Sequence, residues 1–347
     1  MTMDNNENKK PQAGPPLMAF AMPMYHDFVP KWIRPWIYVV LAFCFQFSNG
    51  MYLGAMNNVV GEWGIMREDV QMCLYATLIG MALYFPVLFR MKFHFSNKSL
   101  LMASALVIIV CNLLATFRLP LPLLWILCVL CGMAKIQGTF ECMSNIQLWM
   151  TPKRDFAVFF PLLHIVLLTS IEFTGYLAAW FAFDMHWTYM HWLVILLMIG
   201  VLLVQALLTR LFHAMPQIVP LKGIDFFGAV LWCVFWLQVA WLLDYGDWLD
   251  WWHSSQFRLV SGTSLLTELA MWRYHNVVPV ILLIGVVEAL FSTEHVLEMV
   301  YYEEVMHYAD HTYEELNQWS LIGIWAGCLF SLGWLKLMRW NVYKLIA

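Results

Sequence analysis

Charge is what this sequence most lacks. Across 347 residues, Asp, Glu, Lys and Arg together supply 12%, about half the share of an ordinary soluble domain. Hydrophobic residues make up 62% and the mean hydropathy is +0.66. A soluble globular chain of this composition would expose apolar surface on every side, so that class is excluded. Disorder fails on the same numbers, and no collagen-like repeat is present. A cysteine framework is also missing, since all eight cysteines lie inside apolar blocks and read as small packing residues. Cys128 and Cys131 form a CxxC pair without a second pair or a nearby His, too few ligands for zinc. There is no basic excess either. With 19 basic and 23 acidic residues, the formal net charge is −4 and the Lys and Arg are scattered, so nothing points to nucleic-acid binding. No Ser/His or Asp/Asp pair has catalytic spacing, so no enzyme, cofactor or metal is expected.

What the sequence has is apolar blocks. Each membrane span needs about 20 residues, so ten spans would take roughly 200. Blocks of that kind fall at about 36–58, 70–91, 99–117, 122–147, 156–182, 188–211, 225–244, 257–272, 276–293 and 319–338. They are continuous rather than alternating, which argues against a transmembrane barrel. The block at 257–272 is the weakest, being short and carrying Arg258, Thr263, Ser264 and Glu268. Loop charge decides in its favour, because Lys and Arg collect on the cytoplasmic side. With ten spans and both termini inside, fifteen of the 19 basic residues face the cytoplasm. Arg67, Arg118 and Arg258 lie outside, and Lys135 falls within a span. The expected architecture is an all-α polytopic membrane protein of the cytoplasmic membrane. Residues 1–33, polar and Pro-rich, form a cytoplasmic tail.

Residues 294–318 carry seven acids and three histidines with no Gly or Pro, and read as a helical extension of the ninth span. On one helix His307 and His311 would share a face, with Glu303, Glu304 and Asp310 close by. A solvated acidic face is the preferred reading there, and a divalent metal site is the alternative.

The short basic loop after span two and the TPKRD loop after span four resemble the major facilitator superfamily. More specifically, the chain resembles the fourteen-span drug:proton antiporter branch. Around the seventh span, Asp225-x-x-Gly228 opens the helix and Leu242 to Trp251 closes it in a Gly- and Trp-rich turn. Gly175-x-Leu177 followed by His186-Trp187-x-Tyr189 is similar to the end of the antiporter motif, and Gln137-Gly138 to the Arg-x-x-Gln-Gly motif. The resemblance covers 34–293. It implies a six-helix N-terminal bundle at 34–215, then four further helices in 216–347 with the second bundle incomplete. It also implies proton-coupled efflux of small drug-like or organic-cation substrates. The partners implied are the substrate, protons, the lipid bilayer and a periplasmic adaptor protein. The alternative is a truncated, transport-inactive remnant or membrane scaffold. Several motif positions differ: Ser48-Asn49-Gly50 stands where the family often has an Asp, Ala134 replaces the motif Arg, and Ser170 to Gly175 lacks the motif's Pro and first Gly.

Ionisable groups at membrane depth are costly, so they usually face a cavity or a partner. Lys135, Glu141, Glu172, Glu288 and Glu268 lie there by sequence. Gln137, Glu141, Ser144 and Asn145 make one polar stripe on span four, with Lys135 on another side. On span five, His164, Thr169, Glu172 and Tyr176 share a face with the small residues Gly175 and Ala179, which permit close helix approach. The expected substrate and proton-coupling residues are Glu172 and Glu141, then Lys135, Glu288 and His164. Asn49 and Gln137 join them from the family motifs. The structural alternative is that each Glu is neutral and hydrogen-bonded within the bundle.

Overall fold

A computed structural model describes residues 25–47, 51–150, 156–211, 226–271, 301–307 and 310–334. Among these residues the secondary structure is helical, with no strand beyond an isolated bridge between Tyr25 and Thr209. The helices are Arg34–Gln46 (α1), Met51–Gly54 (α2), Met56–Trp63 (α3), Arg67–His94 (α4), Asn97–Ala115 (α5) and Leu121–Met150 (α6). They continue with Phe156–Asp184 (α7), Tyr189–Leu208 (α8), Phe226–Tyr245 (α9), Ser255–Met271 (α10) and Asp310–Leu332 (α11). Five of them, α5 to α9, are long and apolar enough to cross a membrane, and the bent α4 makes a sixth if its two arms count as one span. The chain is a multi-pass membrane protein.

Burial on these helices is one-sided although composition is not. On α8 the inward face is Met190, His191, Val194, Met198, Val201 and Gln205, while Leu196, Ile199, Leu203 and Leu207 are exposed. A helix apolar on all sides with only one side covered by protein needs lipid on the other.

α6 is the hub, packed against α1, α4 and α5. It runs parallel to α4, as the pairs Asp69–Trp125, Thr77–Gly132 and Lys92–Glu141 show. The crossing is tight because two glycines sit at it. A Cβ on Gly132 would lie 2.1 Å from the Thr77 carbonyl oxygen, and one on Gly80 would lie 2.2 Å from that of Val129. Gly175 plays the same part on α7, where a Cβ on the facing Gly54 would lie 2.3 Å from its carbonyl oxygen. Of the small residues read on span five, Gly175 meets α2, with Ala178 rather than Ala179 beside it.

Three expectations need correction. The first block is not one continuous helix: α1 stops at Gln46, short pieces α2 and α3 follow, and residues 48–50 lie outside the described set. The described residues leave the helix at Phe47 and again at Ala55, whose backbone (φ −112°, ψ 14°) is not helical. The second block is a helix, but its arms Arg67–Phe85 and Val87–His94 differ in direction by 61°. Pro86 lies between them and removes a backbone donor. The described part of the acidic segment is not one helix. Tyr301–Val305 is a short π-helical turn, His307 has φ +56°, and α11 begins at Asp310. His307 and His311 therefore do not share a face of one helix, and the acidic residues from Asp310 on belong to the helix that follows. The block at 276–293 lies outside the described residues.

Residues 25–33, the end of the expected tail, are packed rather than free. Tyr25 is buried, donates through its hydroxyl to the Arg34 carbonyl at 2.8 Å, and stacks edge-on against Tyr38. Burial pushes its phenol well above the ordinary range, so it stays a neutral donor. Arg34 in turn donates to the Val29 carbonyl at 2.9 and 3.1 Å. His26 N–H donates to Leu208 and Arg210 pairs with Asp27, which fastens this segment to the end of α8.

Candidate functional site

Two buried polar centres lie on α6. The first forms where α4 ends and α5 begins. α4 closes at Phe95, whose extended backbone cannot continue a helix, and Ser96 caps α5 by accepting from Ser99 N–H at 3.2 Å. This tight corner places Lys92, in the last turn of α4, and Asn97, first in α5, beside Glu141. Lys92 Nζ lies 3.3 Å from Glu141 Oε2, and Asn97 Nδ2 donates to the same oxygen at 2.8 Å. Gln137 Nε2 donates to Oε1 at 3.3 Å from one turn earlier. Tyr38 of α1 completes the cluster by donating to Asn97 Oδ1 at 3.3 Å. Glu141 is 1% exposed, so its charge depends on these donors rather than on water. The Lys92 ammonium also sits over the Phe140 ring, 5.1 Å from its centroid. Next along this end, Lys98 donates to the Ala206 and Thr209 carbonyls at 3.2 and 2.9 Å, which caps α8.

The second centre lies nearer the start of α6. A cavity of about 30 Å³ opens among α2, α4, α5, α6 and α8, lined in part by Tyr52, Thr77, Asn112, Cys128, Lys135 and His191. Lys135 and His191 are each 1% exposed. His191 Nδ1 lies 3.0 Å from Asn112 Oδ1, while Asn112 Nδ2 donates to the Ile108 carbonyl at 2.9 Å. His191 Nε2 is buried without a hydrogen-bond partner.

The residues singled out from sequence therefore separate into groups. Glu141 and Gln137 come together, and Asn145 joins by donating to the Glu141 carbonyl. Lys135 lines a different centre. Glu172 is buried on α7, whereas His164 on the same helix is exposed, so the face drawn through both is not uniformly covered. Thr169 on that face accepts from Trp325 of α11 at 2.9 Å. Glu288 and Asn49 lie outside the described residues, and so does the side chain of Glu268. Sequence reasoning missed Lys92, Asn97, His191 and Asn112. Asn112 carried a signal, being the one amide inside the otherwise apolar core of span three.

All eight cysteines are free thiols. Among the described residues, no group of three or more His, Cys, Asp or Glu could hold a metal ion. Compared with known proteins, the sequence matches no described family and no curated relative.

Proposed function

We propose that the chain is a membrane transporter of major-facilitator type that exports small drug-like or organic-cation molecules in exchange for protons. The observation that carries this reading is the burial of Lys135, Glu141 and Glu172 within helices apolar enough to cross a membrane. Buried carboxyls in such positions change protonation when a cation approaches or leaves, which is the coupling an antiporter needs. Protonating Glu141 would release Lys92 and Asn97 and loosen the corner joining α4 and α5. Glu172 is the better coupling group, because α7 meets α2 at the Gly54–Gly175 contact just one turn away. In this reading both termini are cytoplasmic, the membrane is the inner one, and a periplasmic adaptor is a further partner.

The test is dye export from proteoliposomes under an imposed pH gradient. Wild type should export, and Glu172→Gln should lose proton-driven export while inserting and expressing normally. A neutral buried Glu and a Gln cost the bilayer similar amounts, so insertion does not confound the result. Normal proton-driven export by the Gln variant would make Glu172 structural and move the test to Glu141. No gradient-driven export by the wild type would overturn the transporter reading. The second reading is a transport-inactive membrane scaffold. It is favoured by the small cavity and by the engagement of both Glu141 carboxylate oxygens.

A further inference from the structure

Residues 25–36 fold into a strap whose two sides differ. Two hydrogen bonds close successive turns, Val29 N–H to the His26 carbonyl at 3.1 Å and Ile33 N–H to the Pro30 carbonyl at 3.2 Å. Val29 and Arg34 are buried against the bundle, and Arg34 spends its guanidinium on the Val29 carbonyl. The corner residues face the other way. Phe28 in the first turn is 68% exposed and Trp32 in the second is 73% exposed, with Lys31 exposed beside it. Trp36, in the first turn of α1, adds a third outward ring at 52%.

What the strap is tied to fixes its depth. The membrane-crossing α8 has 20 residues, a length of about 30 Å at 1.5 Å per residue, which matches the hydrocarbon core of a bilayer. Its last residue, Leu208, accepts from His26 N–H at 3.1 Å, and Thr209 bridges to Tyr25. The strap therefore lies where α8 leaves the hydrocarbon. Charges gather at the same level, where Arg210 pairs with Asp27 and Lys98 donates to the Ala206 and Thr209 carbonyls. The exposed apolar surface of the spans also runs into this level, through Leu207 and Leu211 at α8 and Val40 one turn after Trp36 on α1. A tryptophan at the hydrocarbon edge buries its ring and leaves its N–H among headgroups. Arg210 neutralises Asp27, so the charge that the outer corners present is the Lys31 ammonium, between Phe28 and Trp32 in sequence.

We propose that residues 25–36 are an interfacial anchor that seats Phe28, Trp32 and Trp36 at the hydrocarbon edge and sets Lys31 against the phosphates of anionic phospholipids. Lipid is favoured over a protein partner because the exposed rings continue a surface that lipid already covers. The proposal rests on the membrane-crossing length of α8 and not on export, which the proteoliposome assay tests separately.

The full chain in lipid nanodiscs, grown with 5-fluorotryptophan, provides the test. The Trp32 ¹⁹F signal is assigned by its loss in Trp32→Phe. A nitroxide carried near the top of a lipid acyl chain should broaden that signal several-fold more than the same nitroxide free in the aqueous phase. Stronger broadening from the aqueous side would put Trp32 in water. Protection from both would mean that a protein surface or a second copy covers it. Either result overturns the proposal. Phosphatidylglycerol titrated into phosphatidylcholine nanodiscs then reads the charge. The Trp32 signal should shift with phosphatidylglycerol content, and Lys31→Gln should need about five times as much for the same shift, the share of one lysine at an anionic surface. No shift in the wild type, or an unchanged response in Lys31→Gln, would overturn the headgroup contact. Both variants replace exposed side chains, so the bundle beneath them should melt as wild type does.

Discussion

Glu141 and Lys135 stand six residues apart on α6, a rise of about 9 Å, and each is 1% exposed. The bundle handles the two charges differently. Around Glu141, three donors from three helices converge on two carboxylate oxygens. Around Lys135, the helices leave a small cavity and an imidazole nitrogen with no protein partner. The first arrangement fixes the corner between α4 and α5. The second leaves a small cavity beside a buried imidazole nitrogen. Burial alone therefore does not identify a functional charge in this protein. What distinguishes the two centres is that donors serve both carboxylate oxygens of Glu141, whereas His191 Nε2 beside the cavity has no protein partner.

Removing the cation from the first centre should produce the largest effect. Lys92→Met leaves Glu141 buried with its amide donors alone, and breaking a buried pair from one side costs about 3–5 kcal/mol. Thermal melting in detergent should show that loss, and Lys92→Met/Glu141→Gln should recover most of it. A Lys92→Met variant as stable as wild type would show that Glu141 does not depend on its lysine.

The crossing that sets the register of both centres comes next. Gly132→Ala pushes a methyl against the Thr77 carbonyl and should cost about 1–3 kcal/mol. Gly200→Ala on α8 meets nothing within 4 Å. It should be neutral or stabilising by up to about 1 kcal/mol, the helix-propensity gain. Similar melting shifts for the two would place the α4–α6 contact elsewhere.

The smallest stability effect belongs to the second centre. His191→Phe gives up the bond to Asn112 but also removes a buried acceptor that no protein group serves. Melting should stay within about 1 kcal/mol of wild type, because such gains and losses nearly cancel. A loss as large as that of Lys92→Met would make the two centres alike.

Much of this was legible in the sequence. Apolar length alone gave α5 to α9 to within a few residues, since lipid demands uninterrupted helices of about that length. Helical periodicity put Gln137, Glu141 and Asn145 on one stripe and Lys135 off it, and the small pair on span five meets another helix through Gly175. The donors to Glu141 were not legible. Lys92 and Asn97 looked like loop charges and loop polarity, and only the tight corner at Phe95 and Ser96 turns them inward. His191 looked like one polar residue at the start of the most apolar span. Its meaning comes from Asn112, 79 residues away in sequence. His164 is exposed although it lies on the same helix as buried Glu172, since periodicity names a face but not what covers it.

The two buried charges of α6 belong to separate centres, and two parallel double-mutant cycles read by melting in the same detergent test this separation directly. The Lys92/Glu141 cycle should return a coupling of about 1.5–3 kcal/mol, as groups in direct contact do, and the Lys135/Glu141 cycle should return less than about 0.5 kcal/mol. Equal couplings, or a larger value for Lys135/Glu141, would contradict it.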